Sequence, residues 1–297
     1  MSMFFQDTST ARRRRLTMAG LALPSILMMA LVNGYPVVVA AVQSVHDGGL
    51  LKLGDFVGVE NYIRVFRDPL FWKSLRFTVL FAVCGVFGSW VVGFSLALFL
   101  RTRFPGSAIF RVLLLLPWIV PIVVTAMGWN WLVATRNSIM PQLAEALGFG
   151  PVMFLADPTM AVITVCVFKI WISYPFMMMM AAGALETVDQ SAVEAARVDG
   201  AGPWSLLIHM ILPMTARSTY ISWILMTMFS VNDFPTIFLL TGGGPVNATS
   251  SLVVMAYRTV FQDFQPGYGI AITFVITTVL AVLSLCLFNL IRKSSVS

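Results

Sequence analysis

The chain has 297 residues, of which 58% are hydrophobic and 11% charged, and its formal net charge is +6. Soluble domains carry about 25% charged residues, so this composition excludes an ordinary soluble protein and points to a membrane protein. The positive balance does not indicate nucleic-acid binding, because the basic residues flank apolar runs and line no face with aromatic platforms.

A helix crossing the hydrocarbon core, about 30 Å thick, needs about 20 mostly apolar residues. In chain order, a basic segment (residues 1–15) ends in Arg12, Arg13, Arg14 and Arg15 and leads into a charge-free run over 16–45. Such a start also resembles a secretory signal, with Val38-Val39-Ala40 as a cleavage site, but the run is too long for a signal's apolar part and is expected to remain as the first span. The loop over 46–76 mixes acids and bases and sets Tyr62, Val65, Phe66 and Leu70 near helical spacing, which predicts a short interfacial helix.

Charge-free runs over 77–100, 112–135 and 266–291 supply three further spans. Two more, 158–185 and 215–240, are interrupted by Lys169 and Asp233. The expected fold is therefore all-α: a polytopic membrane protein with six transmembrane helices in a single domain over 16–291, followed by a tail at 292–297. More of the 19 Lys and Arg residues fall in the alternate segments that include both termini than in the other loops. By the positive-inside rule both termini are then cytoplasmic.

Several chemistries lack their residues. No Gly-rich phosphate loop ends in Gly-Lys-Ser/Thr, and Gly242-Gly243-Gly244 runs into Pro245 instead, so any ATP chemistry must come from another chain. Cys84, Cys166 and Cys286 sit singly in apolar stretches, and His46 and His209 are isolated, so neither a disulfide framework nor a metal site is expected. No Ser/His/Asp set or converging carboxylates suggest an enzyme. Asn247-Ala248-Thr249 matches a glycosylation acceptor, which has meaning only in a eukaryotic secretory setting.

The loop between the fourth and fifth spans, over 186–213, holds the most specific motif. Glu194-Ala195-Ala196-Arg197-Val198-Asp199-Gly200 is followed, after nine residues, by Met210-Ile211-Leu212-Pro213. Ser191 and Glu194 have the spacing of a capping box that would open a short helix, and Gly200 supplies the permissive residue that ends it. A second helix can start at Pro203, with Trp204, Leu207, Ile208 and Ile211 on one apolar face.

This spacing resembles the EAA loop of binding-protein-dependent ABC importer permeases, with Met210 where the family usually has isoleucine. The resemblance implies that Glu194, Ala195, Ala196, Asp199, Gly200, Leu212 and Pro213 couple the chain to an ATPase, the small alanines permitting close approach. Leu240-Thr241-Gly242-Gly243-Gly244-Pro245 looks like the signature of the maltose-type sugar branch, though Gly and Pro there also make a tight turn. Tyr35-Pro36, Gly58-Val59-Glu60-Asn61-Tyr62, Asp68-Pro69, Phe71-Trp72, Trp171, Pro175-Phe176 and Tyr268-Gly269 match the same branch in order. Phe77-Thr78 and Val188-Asp189 depart from it.

As the resemblance implies, the expected partners are an ATP-binding cassette ATPase dimer that binds ATP and Mg, a second homologous permease completing a heterodimeric pore, and an extracytoplasmic solute-binding protein facing Gly242, Gly243, Gly244 and Pro245. The setting is the bacterial cytoplasmic (inner) membrane, and the cargo a sugar, polyol or glycerol phosphate. Candidates for solute contact are Asn232, Asp233 and Phe234 with Trp129, Asn130, Trp171 and Tyr174. Asp233 has two further roles open to it, as a wet residue near the outer interface or as the cap of a helix broken by Pro235. Lys169 either stretches its stem toward an interface, which its length favours, or pairs with a carboxylate such as Asp233. The reading from another class is a proton-coupled secondary transporter with Asp233 and Lys169 as relay.

Overall fold

The computed structural model describes residues 6–50, 52–102 and 104–294. Residues 1–5 and 295–297, the outer parts of the expected N-terminal segment and tail, lie outside the described residues, as do the side chains of Arg12, Arg13, Arg15 and Cys286.

The expected first span is one continuous helix: α1 (Gln6–Met29), a π-turn at Ala30–Gly34, and α2 (Tyr35–Ser44). Pro24 sits inside it without ending it. None of the most apolar part of Thr17–Ser44 is buried, so that part stands away from the rest of the chain, while the end of α2 at Ser44 is buried against Tyr62. The following loop departs from all-α: β1 (His46–Gly48) pairs antiparallel with β2 (Leu53–Phe56). Asp47 favours this hairpin because its carboxylate accepts from the Asp55 backbone N–H at 2.6 Å. The expected interfacial helix follows as α3 (Glu60–Arg67), burying Asn61 and Val65.

Asp68 then caps α4 (Pro69–Val83), accepting from Leu70 N–H at 2.8 Å ahead of a proline at the first helical position. A π-turn at Cys84–Gly88 joins α4 to α5 (Ser89–Arg101), making one helix long enough to span. The third expected span is not straight. α6 (Ser107–Ile119) and α7 (Ile122–Val133) meet at 92°. Pro117 weakens the end of α6, and Pro121 lacks a backbone donor and drives Val120 into extended conformation (ψ 133°), so the helix stops there although hydropathy continues unbroken.

α8 (Ile139–Ala146) precedes α9 (Pro158–Glu186), an unbroken span that Asp157 opens by accepting from Met160 N–H at 2.8 Å. After α10 (Gln190–Val198), a single helical run contains α11 (Pro203–Leu206), a π-turn at Leu207–Ile211 and α12 (Leu212–Val231). The fifth expected span bends by 44° between Pro203–Val231 and α13 (Pro235–Thr241). α14 (Leu252–Phe261) and α15 (Pro266–Ser294) complete the chain. Among the described residues, three helices are individually long and apolar enough to cross a membrane, and up to five spans result if each bent pair serves as one; the described apolar part of α15, Pro266–Val282, is shorter.

Close helix contact fixes the bundle. A Cβ on Gly93 of α5 would lie 2.6 Å from Met178 N and 2.8 Å from Tyr174 O, so α5 and α9 touch backbone to backbone. Near the start of α15, Tyr268 donates to Asp68 at 2.6 Å and the Arg64 guanidinium lies 4.2 Å from the Tyr268 ring centre. Asn61 donates to Ser44 O and His46 O, both at 3.0 Å, tying α3 to the end of α2. Such buried amide bonds contribute about 1 kcal/mol each. Asn61, Asp68 and Tyr268, all within the stretches matching the sugar branch, thus form one bracket joining α2, α3, α4 and α15.

Candidate functional site

The loop between α9 and α12 is helical, as its motif suggests, but it is capped differently. Asp189, not Ser191, opens α10: its carboxylate accepts from the Ser191 backbone N–H at 2.9 Å and the Ser191 hydroxyl at 2.7 Å. The expected Ser191–Glu194 box is therefore not formed, because the Ser191 hydroxyl is already turned back to Asp189. Those hydrogen bonds hold the Asp189 carboxyl below its ordinary 3.8. Gly200 adopts φ +89°, the left-handed conformation that glycine enters without steric cost, and Ala201 N–H closes back on Ala196 O at 3.0 Å.

The expected apolar face of Trp204, Leu207, Ile208 and Ile211 does not form as a unit. Leu207 and Ile211 pack against the core cluster between α5 and α9, Trp204 and Ile208 do not, and Leu206 is the buried residue, packed with Val188 and Val193. Trp204 stays 75% exposed, Val198 87% and Ile208 52%. Glu194, Ala195, Asp199 and Gly200 are exposed, Ala196 is half-buried, Leu212 is half-buried and Pro213 exposed at the start of α12. The loop thus presents a polar helix flanked by uncovered apolar side chains.

About 40 Å away along the run from Pro203 to Val231, at 1.5 Å per residue, the opposite arrangement holds. Lys169 of α9 does not stretch to an interface: its ammonium lies 2.7 Å from an Asp233 carboxylate oxygen, and the two side chains are only 4% and 9% exposed. The same Asp233 oxygen accepts from the Thr236 hydroxyl at 2.9 Å, while the other accepts from Thr236 N–H at 3.1 Å. Asp233 therefore caps α13 and neutralises Lys169 together, in place of sitting wet at an interface. The Lys169 stem runs beside Gly85, where a Cβ would come within 3.1 Å of it, and the ammonium sits 5.5 Å from the Phe81 ring centre.

This pair lines a cavity of 450 Å³ into which both helix breaks open, Ile119 to Ile122 on one side and Asn232, Asp233 and Pro235 on the other. Trp118, Ser173 and Phe229 also line it, and sequence reasoning missed all three. The signal for Trp118 was its place between Pro117 and Pro121, since discontinuous helices gather at solute sites in transporters. The Asn232 amide donates to Met228 O at 3.0 Å, which turns its nitrogen back onto its own helix.

The other candidates lie elsewhere. Phe234 stacks on Phe238 at 4.7 Å and meets Tyr257 at 4.7 Å. Trp129 and Trp171 pack on each other and on Phe168. Asn130 donates to Leu239 O at 3.1 Å and ties α7 to α13. Tyr174 is buried, its backbone against α5.

The Gly-rich segment is more than a turn. Thr249, fully buried, donates to Gly244 O at 2.6 Å and lies 2.7 Å from the Thr241 hydroxyl, while the Gly244–Pro245 peptide is cis. Lys73 of α4 donates to Val246 O at 2.6 Å and Arg258 of α14 to the Asn247 side chain at 2.9 Å, so two further helices hold the segment.

Comparison with known proteins agrees with this architecture. Residues 89–295, more than half of the chain, match the family model described as "Binding-protein-dependent transport system inner membrane component". The "Probable ABC transporter permease protein y4oQ" of Sinorhizobium fredii is 33% identical over 293 residues, covering 96% of this chain and 94% of that one. The "Trehalose/maltose transport system permease protein MalF" of Thermococcus litoralis is 33% identical over 230 residues, 77% of each. A crystal structure of a bacterial ABC transporter involved in the import of the acidic polysaccharide alginate has a chain of the same fold, with TM-score 0.82 and 17% identity, covering 97% of this chain and 99% of that chain. An exposed helical loop between two long spans, two broken spans around a polar cavity and these matches lead to one conclusion: the chain belongs to the binding-protein-dependent transport system inner membrane components, the permease subunits of ABC transporters.

Proposed function

We propose that this permease lines the translocation pathway for a sugar or related small polar solute, crossing the membrane six times with α15 as the last span and both termini cytoplasmic. On this reading it lacks ATPase activity of its own. Its α9–α12 loop docks on an ATPase dimer that binds ATP and Mg, a sister permease completes the pore, and a solute-binding protein outside the cytoplasm faces the segment from Gly242 to Pro245. The reading of the cargo is supported by the trehalose/maltose relative. The unburied first span, Thr17–Ser44, leaves a long apolar helix face for lipid and a sister subunit.

The observation that carries the coupling role is α10 itself. It is a helix closed at both ends by its own hydrogen bonds, yet its Val198, and Trp204 at the start of the neighbouring α11, stay uncovered. A free loop gains nothing from such residues, whereas a partner groove would bury them. Family membership does not favour a proton-coupled carrier, and the Lys169–Asp233 pair has its ionic partners already in place.

The test is ATP hydrolysis and radiolabelled sugar uptake in vesicles holding the ATPase, sister permease and binding protein, with the native chain or its Glu194→Lys and Gly200→Pro variants. Both variants are expected to assemble and to lose binding-protein-stimulated hydrolysis and uptake. Uptake that survives, above all without ATP and driven by a pH gradient, would mean the wrong transporter class.

A further inference from the structure

Family and fold leave the charge of the cargo open: a chain of the same fold serves import of an acidic polysaccharide. In the cavity at the two helix breaks, Lys169 and Asp233 are the only ionisable residues among those lining it. They face each other at 2.7 Å with almost no exposure, and both Asp233 carboxylate oxygens also accept from Thr236. The polar lining left over, Ser173 and Asn232, is neutral, and Trp118 and Phe229 provide half-exposed rings at 43% and 49% exposure.

We propose that the Lys169–Asp233 pair makes this permease selective for uncharged saccharides or polyols, with Lys169 as the specificity-determining residue. This rests on the reading that the cavity belongs to the solute pathway. An anionic solute could use Lys169 only by displacing Asp233, and a cationic one could use Asp233 only by displacing Lys169. Either exchange leaves one buried charge without its partner in a low-dielectric site, where the cost is large. A neutral ring asks for neither exchange. It stacks on an aromatic face and hydrogen-bonds to hydroxyl and amide groups, while the ion pair stays closed and holds α9 against the start of α13. Cancelled charge also removes the attraction that would otherwise draw counter-ions into the cavity.

The experiment uses the assembled transporter in lipid nanodiscs without binding protein, so that delivery does not impose its own selectivity. Two probes differing only at one carbon, methyl glucoside and its C6 acid methyl glucuronide, are titrated while the tryptophan fluorescence of Trp118 is followed against a Trp118→Phe blank. The native protein is expected to bind the neutral probe about tenfold or more tightly than the acid. Asp233→Asn, which frees the Lys169 charge, is expected to reverse that order. Lys169→Met combined with Asp233→Asn, neutral at both positions, is expected to restore the preference for the neutral probe. The same ratio of affinities in Asp233→Asn as in the native protein overturns the proposal while leaving the cavity as a solute site. No Trp118-dependent response to either probe in any variant overturns the pathway reading and the selectivity with it.

Discussion

The two ends of the helical run from Pro203 to Val231 are built on opposite principles. At its Pro203 end, α10 is anchored by the small cluster of Val188, Val193 and Leu206, with Ala196, Ala201 and Met210 packed against it, and Val198 and Trp204 are exposed. At its Val231 end, charged and polar groups are internalised and mostly answered, Lys169 by Asp233, Asp233 by Thr236 and Thr249 by Gly244, while the buried Ser230 hydroxyl has no hydrogen-bond partner. The first end leaves apolar side chains uncovered, and the second has its charges paired within this chain. That difference suits a subunit that receives a push at one end and contacts solute at the other.

The largest expected effect falls on the completed end. Lys169→Met leaves Asp233 charged and unpaired in the core, and it is expected to cost about 3 kcal/mol in unfolding of the purified protein in detergent. Lys169→Met with Asp233→Asn should recover most of that loss. If single and double variants are equally unstable, the pair is not what makes this end self-sufficient.

Next comes the contact that carries the bundle. Gly93→Val forces a side chain into α9 backbone at 2.6 Å and is expected to destabilise by about 1–3 kcal/mol, read in the same assay. A neutral outcome would mean that α5 and α9 are not in backbone contact. Thr249→Val is nearly isosteric and removes two hydrogen bonds, for a loss of about 2 kcal/mol and faster amide exchange confined to the Gly-rich segment.

The smallest effect belongs to the open end. Because the Asp189 carboxyl is held below its ordinary 3.8, its capping contribution is fully present above that value and is lost as pH falls through the lower, folded value. Faster exchange at Ser191 and Ala192 below pH 3.8, absent from Asp189→Ala, is the expected sign.

How much of this was legible in the sequence differs along the chain. Hydropathy located the three helices long enough to cross and the two bent pairs, and local chemistry located two boundaries: Pro203 opens a helix and Gly200 ends one. The 92° break at Pro121 was hidden because Pro117 and Pro121 interrupt the backbone without interrupting apolarity. The cap of α10 was misassigned by two residues, since Asp189 and Ser191 both have the chemistry and only the geometry chooses. Of the face drawn over Trp204, Leu207, Ile208 and Ile211, only Leu207 and Ile211 pack inward, because periodicity does not say which side of a loop helix meets the core. For Lys169 the stem length argued for an interface, and 64 residues of separation from Asp233 gave no local sign of the pair.

The central claim is that the α10 end waits for a partner. Affinity of the ATPase dimer for the reconstituted permease, measured with Val198→Asp and Trp204→Asp beside the native chain, tests it most directly. The account predicts that each variant weakens binding about tenfold or more while leaving the unfolding midpoint of the permease unchanged, because neither side chain is buried in this chain. Unchanged ATPase affinity in both variants would contradict it.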